Sequence, residues 1–462
     1  MLMQEAAPEK TSLFQRIGDS IFPGLMRPKS DGQVYRGLFN SLILHFRPRT
    51  VPERTLRFTL TWGLGGMAVV LILLLFGTGI LMKFVYQPFP DKAYASILHL
   101  QRDVLFGQFV RNIHHWSGNI LLIVVFLHFL RVFFTGAFHP PRQFNWVIGL
   151  FLFLAVLMSS FTGYLLPWDQ LSFWAVTICT GMLEYIPGVG LWLQRLIRGG
   201  SEVGASTLSN FYAIHTAVLP AALILLMPFH FWRVRKAGGL VVPRAPQEDP
   251  GTTGDRVPGI PNLLLREVVT ALVLIALVLM MSVYFNAPLE GKANPGLSPN
   301  PTKAPWYFMG FQEILLHLHP FITLCVIPAL IALVLLSTPY VRYPSRTAGV
   351  WFASATGRRS ARDAAAFALV ATPLGILLDE YIVEFAAWMP GLAPAIRNGL
   401  FPLIGVLSVC FGAYVVLKRK HGTDKMESVQ MIFVFCLTAF IILTMTGIWL
   451  RGPGMRLSLP WM

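Results

Sequence analysis

The sequence predicts an all-α integral membrane protein, and two observations predict this class: the composition and the length of the apolar stretches. Of the 462 residues, 55% are hydrophobic and only 13% are charged, and the mean hydropathy is +0.60. Soluble domains carry about 25% charged residues, so a soluble fold is excluded. Several apolar stretches have the roughly 20 residues that a helix needs to cross the hydrocarbon core of a bilayer.

Eight apolar runs predict membrane-spanning helices, and a ninth run is ambiguous. The ninth, residues 363–378, is shorter than the others and either crosses the membrane or re-enters it from one side. The eight clear runs lie near residues 59–83, 111–134, 144–166, 211–234, 266–286, 319–338, 398–417 and 428–450.

The basic residues favour nine spans over eight. Lys and Arg accumulate in cytoplasmic loops, and here they gather in residues 1–58, 233–266, 339–362 and 418–425. All four segments fall on one side only if residues 363–378 also cross. The sequence therefore predicts nine spans and a cytoplasmic N-terminus, with eight spans as the alternative. The same loops explain the net charge of +15, so nucleic-acid binding is not expected.

A basic stretch rich in Pro and Gly separates two halves of the chain and predicts a linker. Within the N-terminal segment, residues 11–27 mix apolar side chains with Arg and predict either an interfacial helix or an ordinary surface helix. The expected units are a cytoplasmic segment, a four-helix bundle, the linker, a C-terminal bundle and a short tail, at residues 1–58, 59–235, 236–265, 266–450 and 451–462.

Four of the eleven histidines lie near the ends of the second and fourth predicted spans: His114 and His128, and His215 and His230. Fourteen residues of α-helix turn through about 1400° and rise about 21 Å, so His114 and His128 share one face near opposite membrane surfaces. The two spans run in the same direction, which pairs His114 with His215 and His128 with His230. Such pairs match two haems, each held by two histidines. Four packing histidines are the alternative, but unpartnered ionisable groups are costly at this depth.

Glycines in the first and third predicted spans repeat the histidine interval. Gly65 and Gly79 are 14 residues apart, and so are Gly149 and Gly163. A flat porphyrin approaches a helix closely only where no Cβ intervenes, so two glycine pairs match two stacked haems. Ordinary helix packing also uses glycine and is the alternative.

Two arginines flank the second span close to its histidines. Arg111 and Arg131 could donate charge-assisted hydrogen bonds to haem propionates, although membrane-boundary charges are an equal alternative. The four cysteines form no CxxC or CxxCH motif, so no zinc ribbon, iron–sulfur cluster or c-type haem attachment is encoded.

Four stretches that contain these residues resemble cytochrome b: RNIHHWSGN, LHFLRVFFTG, TGYLLPWDQLSFWAV and NFYAIHTAVLP. The resemblance covers at least residues 55–340, is close in the first half and loose in the last hundred residues. The 15-residue interval between His215 and His230 is similar to the plastid-type form, whose two halves are separate polypeptides. Here the halves are fused in one chain.

The resemblance implies the cytochrome b subunit of a quinol:cytochrome c oxidoreductase, or of one with another high-potential acceptor, in a respiratory or photosynthetic complex. In that family, quinol is oxidised at the outer face, one electron goes to a Rieske iron–sulfur protein, and the other passes through two non-covalent b haems to an inner quinone. The implied partners are the Rieske protein, a cytochrome c-type subunit, quinone and a second copy of the complex. The implied location is a bacterial cytoplasmic membrane.

Two departures from the family pattern bear on these expectations. Plastid-type members attach an extra haem to a first-span cysteine, and the matching position here is Gly63, so no covalent haem is expected. The family's PEWY motif at the outer quinol site carries a proton-accepting glutamate, whereas here the matching residues 304–307 read Ala-Pro-Trp-Tyr.

Either another group takes the quinol proton or the site works differently. Glu313 is the first candidate and Asp169 the second, because a carboxylate in a partly apolar cleft has a raised pKa and can cycle a proton. An ion pair or helix-end charge is the alternative for Glu313. Tyr164, Trp306 and Tyr307 are expected to line the quinone cleft, with an interfacial aromatic belt as the alternative.

Two other functions remain open at this point. A di-haem b anchor could exchange electrons between quinone and a peripheral dehydrogenase, but it would have no use for the KAPWYF segment and the helices after it. A haem-free transporter or scaffold is the other alternative, and a visible spectrum distinguishes it.

Overall fold

The computed structural model describes residues 12–21, 50–243, 254–343 and 347–458. Within these residues, nine helices are long and apolar enough to cross a membrane. We number them spans 1 to 9: Leu64–Lys83, Gly107–Phe134, Gln143–Tyr164, Ala205–Lys236, Gly259–Tyr284, Ile322–Tyr340, Ala355–Tyr381, Ile396–His421 and Lys425–Trp449.

The predicted nine-span, all-α architecture is confirmed. The ambiguous run at 363–378 lies inside span 7, a continuous helix of 27 residues, so it does not re-enter. Spans 2 and 4 begin earlier than the apolar runs indicate, at Gly107 and Ala205. Polar first turns that pack against other segments extend both helices beyond the apolar run.

Short helices and one small sheet complete the described part of the chain. The sheet pairs strand β1 (Thr50–Pro52) antiparallel with strand β2 (Arg256–Pro258), with Thr50 opposite Pro258. The short α-helices are Leu13–Ile21, Phe58–Thr61, Ala93–Arg102, Gln170–Gly181, Gly190–Arg198, Met309–His317 and Phe385–Trp388. The 3₁₀ turns are Glu53–Leu56, Met182–Tyr185, Trp306–Phe308, Thr338–Tyr340 and Pro453–Met455.

Some predicted units fall partly outside the described residues. Of the proposed interfacial helix at 11–27, residues 13–21 are helical and residue 11 and residues 22–27 lie outside. Residues 244–253 of the linker and 459–462 of the tail also lie outside the described part.

Spans 1 to 5 share one apolar core, and spans 7 to 9 share another. Span 5 packs on spans 1 and 2 through Leu274 and Val278, so the C-terminal half begins against the first four helices. Ala364 and Ala368 of span 7 are fully buried against spans 8 and 9, because small side chains let neighbouring helices approach closely. Many Leu, Val and Phe side chains remain exposed on the outer faces, as lipid contact requires.

The two ends of the bundle are distinct, and we name them by their histidines. At the His128 end, the loop before span 7 joins span 2 through the Phe352 amide and the Phe134 carbonyl, 2.9 Å apart. Strands β1 and β2 tie the segment before span 1 to the segment before span 5 at this end. Met426, at the start of span 9, packs with Phe133 and Phe134 of span 2. The described parts of all four basic segments therefore lie at the His128 end, as the nine-span topology requires.

Three spans contain a widened π-turn, and the same cause lies behind each. The π-turns are Ile214–Val218, Ile322–Val326 and Ile396–Leu400. Pro220, Pro328 and Pro402 each stand two residues after one of these turns. Proline has no N–H to donate and its ring clashes with the carbonyl four residues earlier, so the preceding turn opens to the wider i to i+5 pattern.

Candidate functional site

The four span histidines form two pairs at the two ends of the bundle. The imidazole rings of His114 and His215 lie with their centres 6.2 Å apart and nearly perpendicular, with an interplanar angle of 69°. His128 and His230 are close enough to interact electrostatically at the other end. Both pairings are those that the spacing and the common direction of spans 2 and 4 predict.

The π-turn in span 4 explains how His215 and His230 share a face although they are 15 residues apart. In a regular α-helix, 15 residues would leave the second side chain about 60° away from the first. The π-turn Ile214–Val218 contains His215 and absorbs about one extra residue. Pro220, which follows, is therefore part of the reason that both histidines reach their partners in span 2.

Each predicted glycine faces one histidine ring. A Cβ added to Gly163 would stand 2.6 Å from Cε1 of His215, so no side chain is tolerated there without movement of the ring. At the other three glycines the distance from an added Cβ to the facing Cε1 is 3.4–3.6 Å. The facing pairs are Gly79 with His114, Gly163 with His215, Gly65 with His128 and Gly149 with His230.

Hydrogen bonds at Nδ1 orient the two imidazoles of the first pair. The hydroxyl of Thr78 donates to the Leu74 carbonyl at 2.6 Å and lies 2.9 Å from Nδ1 of His114, so it accepts the Nδ1 proton. Nδ1 of His215 donates to the Ser159 carbonyl at 3.0 Å. With the proton on Nδ1, each Nε2 keeps a bare lone pair, which is the form that binds a metal.

The geometry fits an iron porphyrin better than a bare metal ion. Bonds from a metal to imidazole nitrogen are about 2 Å long, so one metal between two nitrogens separates the ring centres by roughly 6 Å. Two ligands do not saturate a metal, and within the described ranges no group of three or more His, Cys, Asp or Glu could hold one. A porphyrin supplies the remaining nitrogens, and the glycines leave room beside the rings.

The two arginines beside the histidines are buried, and they differ in their partners. Arg111 donates to the carbonyls of Ala287 and Pro288, both at 2.7 Å, which joins span 2 to the segment after span 5. Arg131 donates through Nε to the Leu60 carbonyl at 2.8 Å, while one of its terminal nitrogens has no partner in the part of the chain that the structure describes. Arg131 thus has a donor free for an anion.

The three aromatic residues predicted for a quinone cleft gather at the His114 end. Trp306 donates through its indole nitrogen to the side-chain oxygen of Asn119 in span 2, at 2.7 Å. Tyr307 packs against the core of spans 1 to 5. Burial, followed by the neighbouring Tyr164 hydroxyl and Cys179 thiol, raises the pKa of the Tyr307 hydroxyl, so it stays protonated. The segment after span 5 thus contacts the four-helix half directly.

Asp169 holds two backbone segments together. Its carboxylate caps the helix Gln170–Gly181 by accepting from the Ser172 amide at 3.0 Å, and it also accepts from the Glu290 amide at 3.1 Å. The side chain is buried. Both carboxylate oxygens accept from backbone donors, which indicates a positioning role.

The expectation of a raised pKa for Glu313 is wrong. Burial by itself would raise the pKa of this fully buried carboxyl, but hydrogen bonds from His317 and Arg451, with the charges of both, outweigh it and lower the pKa. Arg451 donates through Nε at 3.0 and 3.1 Å and through a terminal nitrogen at 2.6 Å. The ion pair that stood as the alternative for Glu313 is what the structure contains.

Several residues of the site escaped the sequence analysis. Arg451 stands 138 residues from its partner Glu313, and nothing in the sequence links them. The orienting role of Thr78 had a signal, because Gly79 and Gly163 are both preceded by threonine. Thr162 lies 3.4 Å from Nδ1 of His215, so the Thr-Gly pairs mark both histidines at this end.

Comparisons with known proteins relate the chain to one family. A family model described as "Cytochrome b/b6/petB" matches residues 52–238. The chain is 43% identical to cytochrome b6 of Prochlorococcus marinus (strain AS9601) over 175 residues, which is 38% of this chain and 80% of that protein. It is 42% identical to cytochrome b6 of Mastigocladus laminosus, over 38% of this chain and 81% of that protein.

The match to a solved structure extends over nearly the whole chain. A chain of a structure titled "Hyperthermophilic respiratory Complex III" aligns with 91% of this chain and 99% of its own length, at a TM-score of 0.60 and 20% sequence identity. At this identity the match shows that the fold is shared, including the C-terminal spans that the family model does not cover.

Replacing Asp169 with Ala should lower the stability of the His114 end. Two backbone amides would lose their acceptor, and the loss of a capping carboxylate costs about 1–2 kcal/mol. The midpoint of thermal unfolding of the purified protein measures this effect. Asp103→Ala is the control, since that carboxylate is 63% exposed and pairs with His99, which is 59% exposed. Equal midpoints for the two variants would contradict the capping role.

Proposed function

Because this chain belongs to the cytochrome b/b6 family, we propose that it is the haem-carrying subunit of a multi-subunit complex that oxidises quinol. It is a multi-pass membrane protein, and the family binds b-type haem. The observation that carries the proposal is the pair of imidazoles of His114 and His215 at 6.2 Å, with Gly79 and Gly163 against them.

We assign one haem to each histidine pair. His114 and His215 would hold the first and His128 and His230 the second, and Arg131 has a donor suited to a propionate. Gly63 stands where the plastid-type relatives attach a further haem to cysteine, so both groups would be non-covalent. Bound haem supplies one-electron transfer between the two ends of the bundle.

Quinol oxidation at the His114 end would release two electrons and two protons. One electron would pass to a Rieske iron–sulfur protein, and from there to a cytochrome c-type subunit or another high-potential acceptor. The second would cross the bundle to a quinone at the His128 end, and two such turnovers with two protons would reduce that quinone to quinol. Tyr164, Trp306 and Tyr307 would form the aromatic walls of the quinol cleft and exclude water from it.

The proton acceptor in this cleft would be Glu290. Glu313 is held by Arg451, and both carboxylate oxygens of Asp169 already accept from backbone amides. Glu290 is exposed, and its carboxylate is near enough to Tyr164 to act on it electrostatically. Its position at the surface would let a proton taken from quinol pass to water.

The orientation of the protein in the membrane follows from the position of its basic residues. The described basic segments lie at the His128 end, and Lys and Arg accumulate on the cytoplasmic side of membranes. The His128 end would then face the cytoplasm and the quinol cleft the outer side of a bacterial cytoplasmic membrane. A second copy of the complex is a further expected partner.

The C-terminal half argues against a simple di-haem anchor for a dehydrogenase. The hydrogen bond from Trp306 to Asn119 and those from Arg111 to Ala287 and Pro288 join the two halves at the His114 end. An anchor that only holds haem would not need this contact. Purification of the complex with a Rieske protein supports the proposal, and purification with a dehydrogenase alone would favour the anchor.

Replacing His114 or His215 with Ala should remove one b haem and leave the other. Each replacement takes one of two ligands from the same iron. The haem-to-protein ratio of the purified complex should fall by half, and a redox titration should retain a single b-type component. His99→Ala, at an exposed histidine of the helix Ala93–Arg102, should change neither quantity. Loss of both haems, or of none, contradicts the assigned pairing.

Replacing Gly163 with Ala should lower the content of the haem at the His114 end. The new Cβ would lie 2.6 Å from Cε1 of His215 and push the ring out of position. Gly66→Ala is the matched control, because an added Cβ there meets no atom within 4 Å. The measurement is the haem content of both purified variants. Equal content would show that haem binding at the His114 end does not require glycine at position 163.

Replacing Glu290 with Gln should slow quinol oxidation by about a hundredfold, as loss of a general base does, while both haems remain. Steady-state oxidation of decyl-ubiquinol or a short-chain menaquinol by the purified complex measures the effect. Glu202→Gln, at another exposed carboxylate of the same end, is the control. An unchanged rate for Glu290→Gln removes this residue from the proposal.

A further inference from the structure

A cluster of five charged side chains lies at the His114 end, outside the haem-binding bundle. We name it the outer cluster: Glu313, His317, Asp379, Glu380 and Arg451. We propose that His317, as a cation at the centre of the outer cluster, positions Trp306 and Tyr307 of the quinol cleft. This inference rests on the function proposed above.

The outer cluster joins three separate elements. Glu313 and His317 belong to the helix Met309–His317, Asp379 and Glu380 to the last turn of span 7, and Arg451 to the segment after span 9. His317 lies between two carboxylates: Nδ1 is 2.6 Å from Asp379 and Nε2 is 3.4 Å from Glu313. Arg451 reaches Glu380 at 2.9 Å with the terminal nitrogen that is not bound to Glu313.

The helix that carries His317 continues directly from the turn that carries the cleft aromatics. The 3₁₀ turn Trp306–Phe308 ends where the helix Met309–His317 begins, so any rotation of the helix moves both aromatic side chains. The side-chain oxygen of Gln312 accepts from the Ala304 amide at 2.7 Å, and its side-chain nitrogen donates to the Thr302 carbonyl at 2.8 Å. These bonds make the turn and the helix one unit.

Contacts with span 9 restrict the movement of the same turn and helix on their other side. A Cβ added to Gly310 would lie 2.6 Å from side-chain atoms of Phe440 and Thr444 in span 9, so the helix backbone is in close contact there. Lys303 donates to the Ile448 carbonyl at 2.8 Å. The outer cluster holds the opposite end of the helix and completes its attachment.

The charge balance of the outer cluster makes the proton on His317 important. Three carboxylates face two cations when the ring is protonated, and Arg451 alone when it is neutral. Glu313 is fully buried, and a buried carboxylate that loses part of its compensation destabilises its surroundings strongly. Loss of the His317 proton should therefore loosen the helix end and the cleft aromatics together.

Burial alone would lower the pKa of His317, but hydrogen bonds to Asp379 and Glu313, and the charges of both, raise it from 6.5 to about 9. On the adjoining segments, a terminal nitrogen of Arg451 lies 3.4 Å from Nε2 of His317. The other ionisable side chains there include Lys303, Tyr307, His319, Glu380, Tyr381 and Arg456. A raised pKa contributes stability in full below the ordinary value near 6.5, and this contribution falls as pH rises and is gone above about 9. The outer cluster should therefore hold the end of the helix Met309–His317 less firmly at alkaline pH.

The test compares two replacements of His317 in the purified complex. His317→Gln removes the cation at every pH, whereas His317→Lys keeps a cation whose ordinary pKa is about 10.4. His421→Gln is the matched control: His421 also pairs with a carboxylate, Asp363, at 3.0 Å and is similarly buried, but at the opposite end. Each complex is assayed for oxidation of decyl-ubiquinol or a short-chain menaquinol from pH 6 to pH 10, and haem content is measured in parallel.

The unaltered complex should lose turnover with a midpoint near pH 9, the pKa of His317. His317→Gln should be slower by about tenfold to a hundredfold at neutral pH, the size of effect that a small misplacement of a reacting site produces. His317→Lys should retain turnover and move the alkaline midpoint upward, and His421→Gln should match the unaltered complex. Haem content should be full in all four. Equal activity of the Gln variant and the unaltered complex, or equal losses in the Gln and Lys variants, overturns the inference.

Amide hydrogen exchange separates this inference from the proposed function. The peptide covering residues 300–317 should exchange faster in His317→Gln than in the unaltered complex at pH 7, whereas His421→Gln should leave it protected. This readout does not require turnover. If the unaltered complex oxidises neither quinol, the proposed function fails. The exchange result still tests whether His317 holds the helix and its aromatic residues in place. If turnover is normal and the peptide stays protected in His317→Gln, only the inference fails.

Discussion

The pairing of imidazoles between spans 2 and 4 is the constraint on which the rest of the bundle depends. An ionisable ring at membrane depth is unfavourable unless it is bound, and four such rings occur here in two matched pairs. Meeting that requirement fixes the rotation of both helices about their axes. Spans 1 and 3 must then present glycine, since each histidine ring lies against a backbone that has no Cβ.

A proline-opened turn and two hydrogen bonds align these helices and their histidines. Pro220 opens the turn that contains His215, which compensates for the fifteenth residue between His215 and His230. Thr78 and the carbonyl of Ser159 accept the Nδ1 protons at one end and leave each Nε2 available. Each of these interactions depends on one side chain or one backbone group.

The C-terminal half is attached to this bundle by polar contacts at the His114 end and by aromatic packing at the other. Arg111 and Asn119 of span 2 reach the segment after span 5, while Phe133 and Phe134 pack near Met426 of span 9. Charged groups that would be unfavourable in lipid are thereby concentrated at the helix ends. The cleft aromatics lie between two firmly held regions, the haem-binding bundle and the outer cluster.

The sequence by itself determined the features that follow from periodicity and hydrophobicity. The nine spans follow from apolar length and basic loops, and the 14-residue intervals place the glycines of each pair at the same spacing as His114 and His128, because helix geometry is regular. The partners of carboxylates were decided only by tertiary structure. Glu313 in a cleft predicts a raised pKa, yet Arg451, 138 residues away, folds against it and lowers that pKa. Asp169 is likewise committed to the Glu290 amide, 121 residues distant. Electrostatic environment depends on which distant segments meet, and no local pattern encodes that.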